Sequence, residues 1–82
     1  MTEKFTEVFA LCRREAGLTL QELADRTGFT KATIWNYEKG HWLPPVDKME
    51  AICEAMGMTM GEFWEKYDSL GGSGADLGAT GA

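Results

Sequence analysis

Few side chains in this sequence could make or break covalent bonds. There is one histidine, His41, and there are two cysteines, Cys12 and Cys53, far apart along the chain. His41 has no cysteine, aspartate or second histidine at ligand spacing, so a metal role is not expected. No histidine, carboxylate and nucleophile are grouped as general acid-base or covalent catalysis requires. The glycines near the C-terminus have no strand before them and no helix after, which excludes a phosphate-cradling loop. An enzyme is therefore not expected, and neither is a cofactor. What remains is recognition chemistry. Between Thr30 and His41 the chain gathers two lysines, hydroxyls, an amide and aromatic rings, the groups that pair with base edges and phosphates.

Apolar residues recur at helical spacing throughout, and glycines fall where helices stop. Five short helices and an all-α fold follow. The first runs from about Glu3 to Ala16, with Phe5, Val8, Phe9 and Cys12 on one stripe and Gly17 ending it. The second opens at Thr19, where Thr19 and Glu22 form a capping box, buries Leu20, Leu23 and Ala24, and stops at Gly28. Thr30 caps the third, which turns Ile34 and Tyr37 inward and ends at Gly40. His41 to Pro45 is a loop, because consecutive prolines force extended geometry. The fourth spans about Val46 to Met56, with Val46, Met49, Ile52, Cys53 and Met56 as its apolar face. A second capping box, Thr59 to Glu62, opens a fifth helix through about Tyr67. Residues 1–68 form the folded domain, with a helix-turn-helix at about 19–38. Residues 69–82 are too glycine-rich to repay ordering and read as a disordered tail.

The composition allows one core and no separate effector domain. Hydrophobic residues are 44% of the 82, with three Trp, four Phe and five Met, enough to fold without disulfide or metal. Two cysteines in apolar helical patterns are no disulfide framework, and they read as buried small hydrophobes in a reducing cytoplasm. No window approaches a membrane span. The net charge of -5 opposes indiscriminate binding to nucleic acid. Its distribution matters more: residues 1–44 carry six Lys or Arg against six Asp or Glu, and residues 45–82 carry two against seven.

Two helices joined through Gly28 must cross steeply, which requires a small residue where they touch and apolar anchors behind the second; Ala24, Gly28 and Ile34 meet those needs. Here the sequence resembles the Cro and C1 repressor class of helix-turn-helix proteins, the XRE family. The resemblance runs from about Phe5 to Tyr67 through Arg13, Gly17-Leu18-Thr19, Glu22-Leu23-Ala24, Gly28, Thr30, Ile34, Tyr37-Glu38-Lys39-Gly40, Pro44 and Met56-Gly57-Met58. It implies a five-helix bundle like that of lambda repressor, helix three in the major groove of double-stranded DNA, and a homodimer spanning two half-sites.

Carried onto this chain, the resemblance places base contacts at Lys31, Ala32, Thr33 and Asn36. Their chemistry agrees: lysine donates to guanine, asparagine pairs with adenine, and alanine meets a thymine methyl. Trp35 lies outward too, against DNA, a partner or the neighbouring loop, or else folded onto helix four or Trp42. Backbone contacts are expected from Thr19, Thr30, Lys39, His41 and Trp42, although a merely solvated loop histidine is the simpler reading of His41. The family's usual glutamine at the second position of helix two is replaced by Leu20, so Gln21 takes that contact from a neighbouring angle or the contact is absent. The resemblance also pairs Arg13 with Glu38 as a structural ion pair. Met49, Ile52, Met56 and Phe63 read as core, while Trp64 and Tyr67 suit a dimer patch.

The leading expectation is a small regulator, most simply a repressor, since repression needs only operator occupancy. The alternative is an antitoxin-like or adaptor module holding a protein partner through Trp35, Trp42 and the acidic helices four and five.

Overall fold

The second to fifth helices each start where a side chain or a proline stands ready to begin them. The computed structural model describes residues 2–75, with side chains over 3–70, as five helices: α1 (Thr2–Glu15), α2 (Leu20–Thr27), α3 (Lys31–Glu38), α4 (Val46–Ala55) and α5 (Met60–Ala75). At α2 the Thr19 hydroxyl accepts from the Glu22 amide at 3.0 Å, and a Glu22 carboxylate oxygen accepts from the Thr19 amide at 2.9 Å. Thr59 and Glu62 repeat both bonds at α5. Thr30 caps α3 through the Thr33 amide at 3.1 Å, and Pro45 precedes α4 in extended geometry. None of the described helices is long and apolar enough to cross a membrane.

The helices enclose one core. Phe5, Val8, Phe9 and Cys12 from α1 meet Leu23 and Ala24 from α2, Ile34 and Tyr37 from α3, Met49, Ile52 and Cys53 from α4, and Phe63 from α5. α1 packs on α3 and α5, and α4 packs on α2 and α5, so α2 and α3 rest on a three-helix base. Edge contacts add little by comparison: Lys66 reaches Glu15 at 2.8 Å and Lys4 lies over the Tyr67 ring at 4.1 Å, both at the surface where such pairs are weak.

Three expectations are corrected. Val46 is not on the buried face of α4: it is 70% exposed. Side chains tilt toward a helix's N-terminus, so the first residue of α4 points off its end, past the core. Leu20 is likewise only half-buried at the core's edge. The fifth helix does not end near Tyr67 but continues to Ala75, so the boundary drawn between residues 68 and 69 falls inside it. Once nucleated and packed, a helix gains one hydrogen bond per added residue, and no proline interrupts the run. The rest of the expected tail, residues 76–82, lies outside the described residues.

Burial pushes the Cys53 thiol up to about 11, helped by the nearby Cys12 thiol, and burial also raises Cys12. The folded state therefore favours protonated Cys53. Its contribution to stability is present below the unfolded value of about 9 and is lost as pH rises through 11. Urea unfolding at pH 8 and pH 11 should show Cys53→Ala losing about 2 kcal/mol less than wild type over that interval.

Candidate nucleic-acid interface

The bend between α2 and α3 is built from a few residues. Gly28 ends α2 with φ +81°, a conformation that an L side chain rarely adopts. Its amide donates to the Ala24 carbonyl at 2.9 Å. The Thr27 hydroxyl donates back to Leu23 at 3.0 Å and accepts from the Phe29 amide at 3.3 Å, closing the corner. Phe29 is half-buried against the core with Lys48 over its ring. It links the bend to α4 and is a residue that sequence reasoning missed, since one aromatic beside a turn carries no pattern.

α3 then has two sides. Ile34, Tyr37 and Glu38 are buried, whereas Lys31, Ala32, Trp35 and Lys39 are exposed and Thr33 and Asn36 are half-buried. Lys31, Ala32 and Trp35 share one face by their spacing of three and four residues. Two of the expected base-contact residues are engaged within the helix. Asn36 Nδ2 donates to the Ala32 carbonyl at 2.9 Å, and the Thr33 hydroxyl accepts from Thr30 at 2.9 Å.

The electrostatics of the helix ends set α3 apart. α1, α2, α4 and α5 carry Glu3, Glu22, Asp47 and Glu62 in their first turns, whereas α3 carries no acid there and begins with Lys31. A helix N-terminus is partially positive, and a carboxylate placed there cancels its pull on anions. The α3 end keeps that pull. At α2 the Glu22 carboxylate already occupies the Thr19 amide, and the Gln21 amide group donates to Asp25 at 2.9 Å.

At the other end, Gly40 takes φ +81° and folds the chain back, so the His41 and Trp42 amides both reach the Asn36 carbonyl, at 2.9 and 3.3 Å. His41 is thereby stacked on Trp35, with ring centroids 5.3 Å apart and planes at 29°. Trp42 is exposed but meets the Tyr37 ring edge-on. Trp35 thus packs on the neighbouring loop rather than on α4 or Trp42.

Arg13 holds α3 from behind. Its Nε and Nη2 donate to the two Glu38 carboxylate oxygens at 2.7 and 3.1 Å, and Nη1 donates to the Leu18 carbonyl at 2.7 Å. The hydrogen bond to Glu38 raises the Arg13 pKa above its ordinary value, burial opposes this, and the opposite charge adds to the rise. The Leu18 arm was not foreseen, because only the chain reversal at Gly17 aims that carbonyl at α1. No group of three or more His, Cys, Asp or Glu side chains able to hold a metal lies together among the described residues.

Comparison with known proteins agrees with this geometry. A family model described as a helix-turn-helix domain matches residues 5–63. The chain is 44% identical over 45 residues to an uncharacterized HTH-type transcriptional regulator of Methanothermobacter thermautotrophicus, covering 55% of this chain and 65% of that one. It is 34% identical over 64 residues to repressor protein C of Escherichia phage P2, covering 78% of this chain and 65% of the relative. The chain thus spans just under two thirds of the length of these curated relatives. Its fold is similar to the crystal structure of the clp gene regulator ClgR from Corynebacterium glutamicum, with a TM-score of 0.79 at 19% identity over 90% of this chain and 79% of that one.

Truncating Glu38 tests how α3 is held. Glu38→Ala leaves a largely buried guanidinium without its carboxylate and should cost about 3 kcal/mol in urea unfolding. Replacing Arg13 and Glu38 together by apolar residues of similar volume should cost clearly less, because no charge is then stranded.

Proposed function

The chain belongs to the helix-turn-helix domain family, and from that premise we propose that it binds double-stranded DNA with α3 in the major groove and acts as a small transcriptional repressor. The observation that carries this reading is the division of α3. Its inward side is locked into the core by Ile34, Tyr37 and the Arg13 bridge, while its outward side begins with Lys31 and no carboxylate and continues through Ala32 and Trp35. A rigid element with a free positive end and a mixed polar and apolar face suits phosphate docking and base reading together.

In this reading Lys31 donates to guanine, Ala32 contacts an apolar base edge and Trp35 packs beside it. Thr33 and Asn36 join after exchanging their internal hydrogen bonds for base or water partners. Thr30, Lys39, His41 and Trp42 border the same face and supply backbone contacts. Gln21 contributes from the start of α2, and Thr19 contributes less because Glu22 already fills that helix end.

The likeness to a phage repressor protein supports repression, and the domain needs only to occupy an operator to repress. A homodimer is part of the proposal: Leu43, Val46 and Trp64 remain exposed around a shallow apolar groove floored by Phe5 and Met49, a surface that a second copy can cover.

Selection of duplexes from a randomised pool, followed by titration at several salt concentrations, tests the reading. An enriched palindrome with half-sites about ten base pairs apart is expected. Lys31→Ala should weaken binding to the selected sequence by about 1 to 3 kcal/mol and relax preference at one position, whereas Lys39→Ala should weaken all sequences alike and lower the salt slope by about 1. Weak binding with no enriched sequence overturns the reading.

A further inference from the structure

Trp35 is 42% exposed in the middle of a helix whose outward side is otherwise short or polar. Leaving so large a ring in water is unfavourable, yet the fold holds it there. The turn at Gly40 and the two bonds onto the Asn36 carbonyl place His41 against the indole. One ring face is thus covered, and the rotamer is set before any partner arrives. A pre-positioned ring loses little conformational freedom on binding, which is the condition for an efficient contact surface.

The neighbours of Trp35 narrow what that surface can read. Asn36, one residue on, directs its amide N–H back to Ala32, and Thr33 is tied to Thr30. Ala32, three residues before Trp35, lies on the same face and adds a methyl group to the indole. The result is an apolar strip, with Lys31 at one end and His41 at the other. In the major groove the apolar feature presented by a base edge is the C5-methyl of thymine.

Resting on the reading that α3 enters the major groove, we infer that Trp35, braced by His41 and extended by Ala32, is a specificity-determining residue that reads a thymine methyl group. It selects thymine over cytosine by shape and apolar contact rather than by a hydrogen bond.

The test uses the duplex selected above, with each thymine replaced in turn by uracil, which keeps base pairing and removes only the methyl. Affinities are measured by fluorescence anisotropy for the full chain and for Trp35→Ala and Trp35→Phe, at salt low enough for all three to bind, with thermal melts to confirm folding. At one thymine position or more, uracil should weaken the wild-type protein about fourfold, the equivalent of ~0.8 kcal/mol for one buried methyl-sized group. Trp35→Ala should bind the thymine and uracil duplexes equally, and Trp35→Phe should keep part of the difference. A selected duplex with no methyl-sensitive thymine, or a fourfold preference that survives in Trp35→Ala, overturns the inference and leaves DNA recognition by α3 standing. Failure to select any duplex removes both.

Discussion

A guanidinium placed between two helices is costly to bury unless its charge is paired and its nitrogens find acceptors, and Arg13 directs one hydrogen bond from each of its three nitrogens to oxygens of Glu38 and Leu18, in two other segments. Glu38 closes on it from the end of α3, and the Leu18 carbonyl closes from the turn after α1. The bridge therefore fixes one distance and one orientation at once: how far α3 lies from α1, and which of its sides faces out. Ile34 and Tyr37 supply most of the burial behind α3, but apolar contact is non-directional and would tolerate rotation of a short helix. A forked, charge-assisted contact does not.

The same division of labour explains what was legible in the sequence. Caps and stops are local chemistry, so Thr19 with Glu22, Thr30, and Thr59 with Glu62 could be read directly and appear with the bonds they imply. The core stripes of α1 and α3 follow from spacing alone, and so does that of α2 apart from Leu20. The Arg13 and Glu38 pair was visible only through resemblance to a family, because 25 residues separate them and nothing local links them. Val46 was misplaced because periodicity assigns a face without saying where the face runs out. The length of α5 was underestimated because glycine preferences were weighed without the cooperativity of a helix already packed.

Side-chain engagement on α3 was the least legible part. The family resemblance placed Asn36 and Thr33 on the outward side, but it could not show that Asn36 donates to its own helix and Thr33 accepts from the cap at Thr30. The stack of His41 on Trp35 depends on the backbone reversal at Gly40, a tertiary consequence of one conformation. Charge was readable as an imbalance between halves, and the structure gives it a location. The acids at the starts of α1, α2, α4 and α5 neutralise those helix ends, so the one N-terminus without a carboxylate among the five described helices stands out despite the negative total.

The two-sidedness of α3 also bears on how such a domain can diversify. Its inward residues are committed to the core and to Arg13, whereas Lys31, Ala32 and Trp35 contribute little to holding the fold together. Exposed substitutions away from caps and networks usually change stability by only about 0.5 kcal/mol. On the proposed reading of α3, drift at these three positions rewrites what the helix recognises while the scaffold stays folded, so new specificities are reachable in single steps without passing through unstable intermediates.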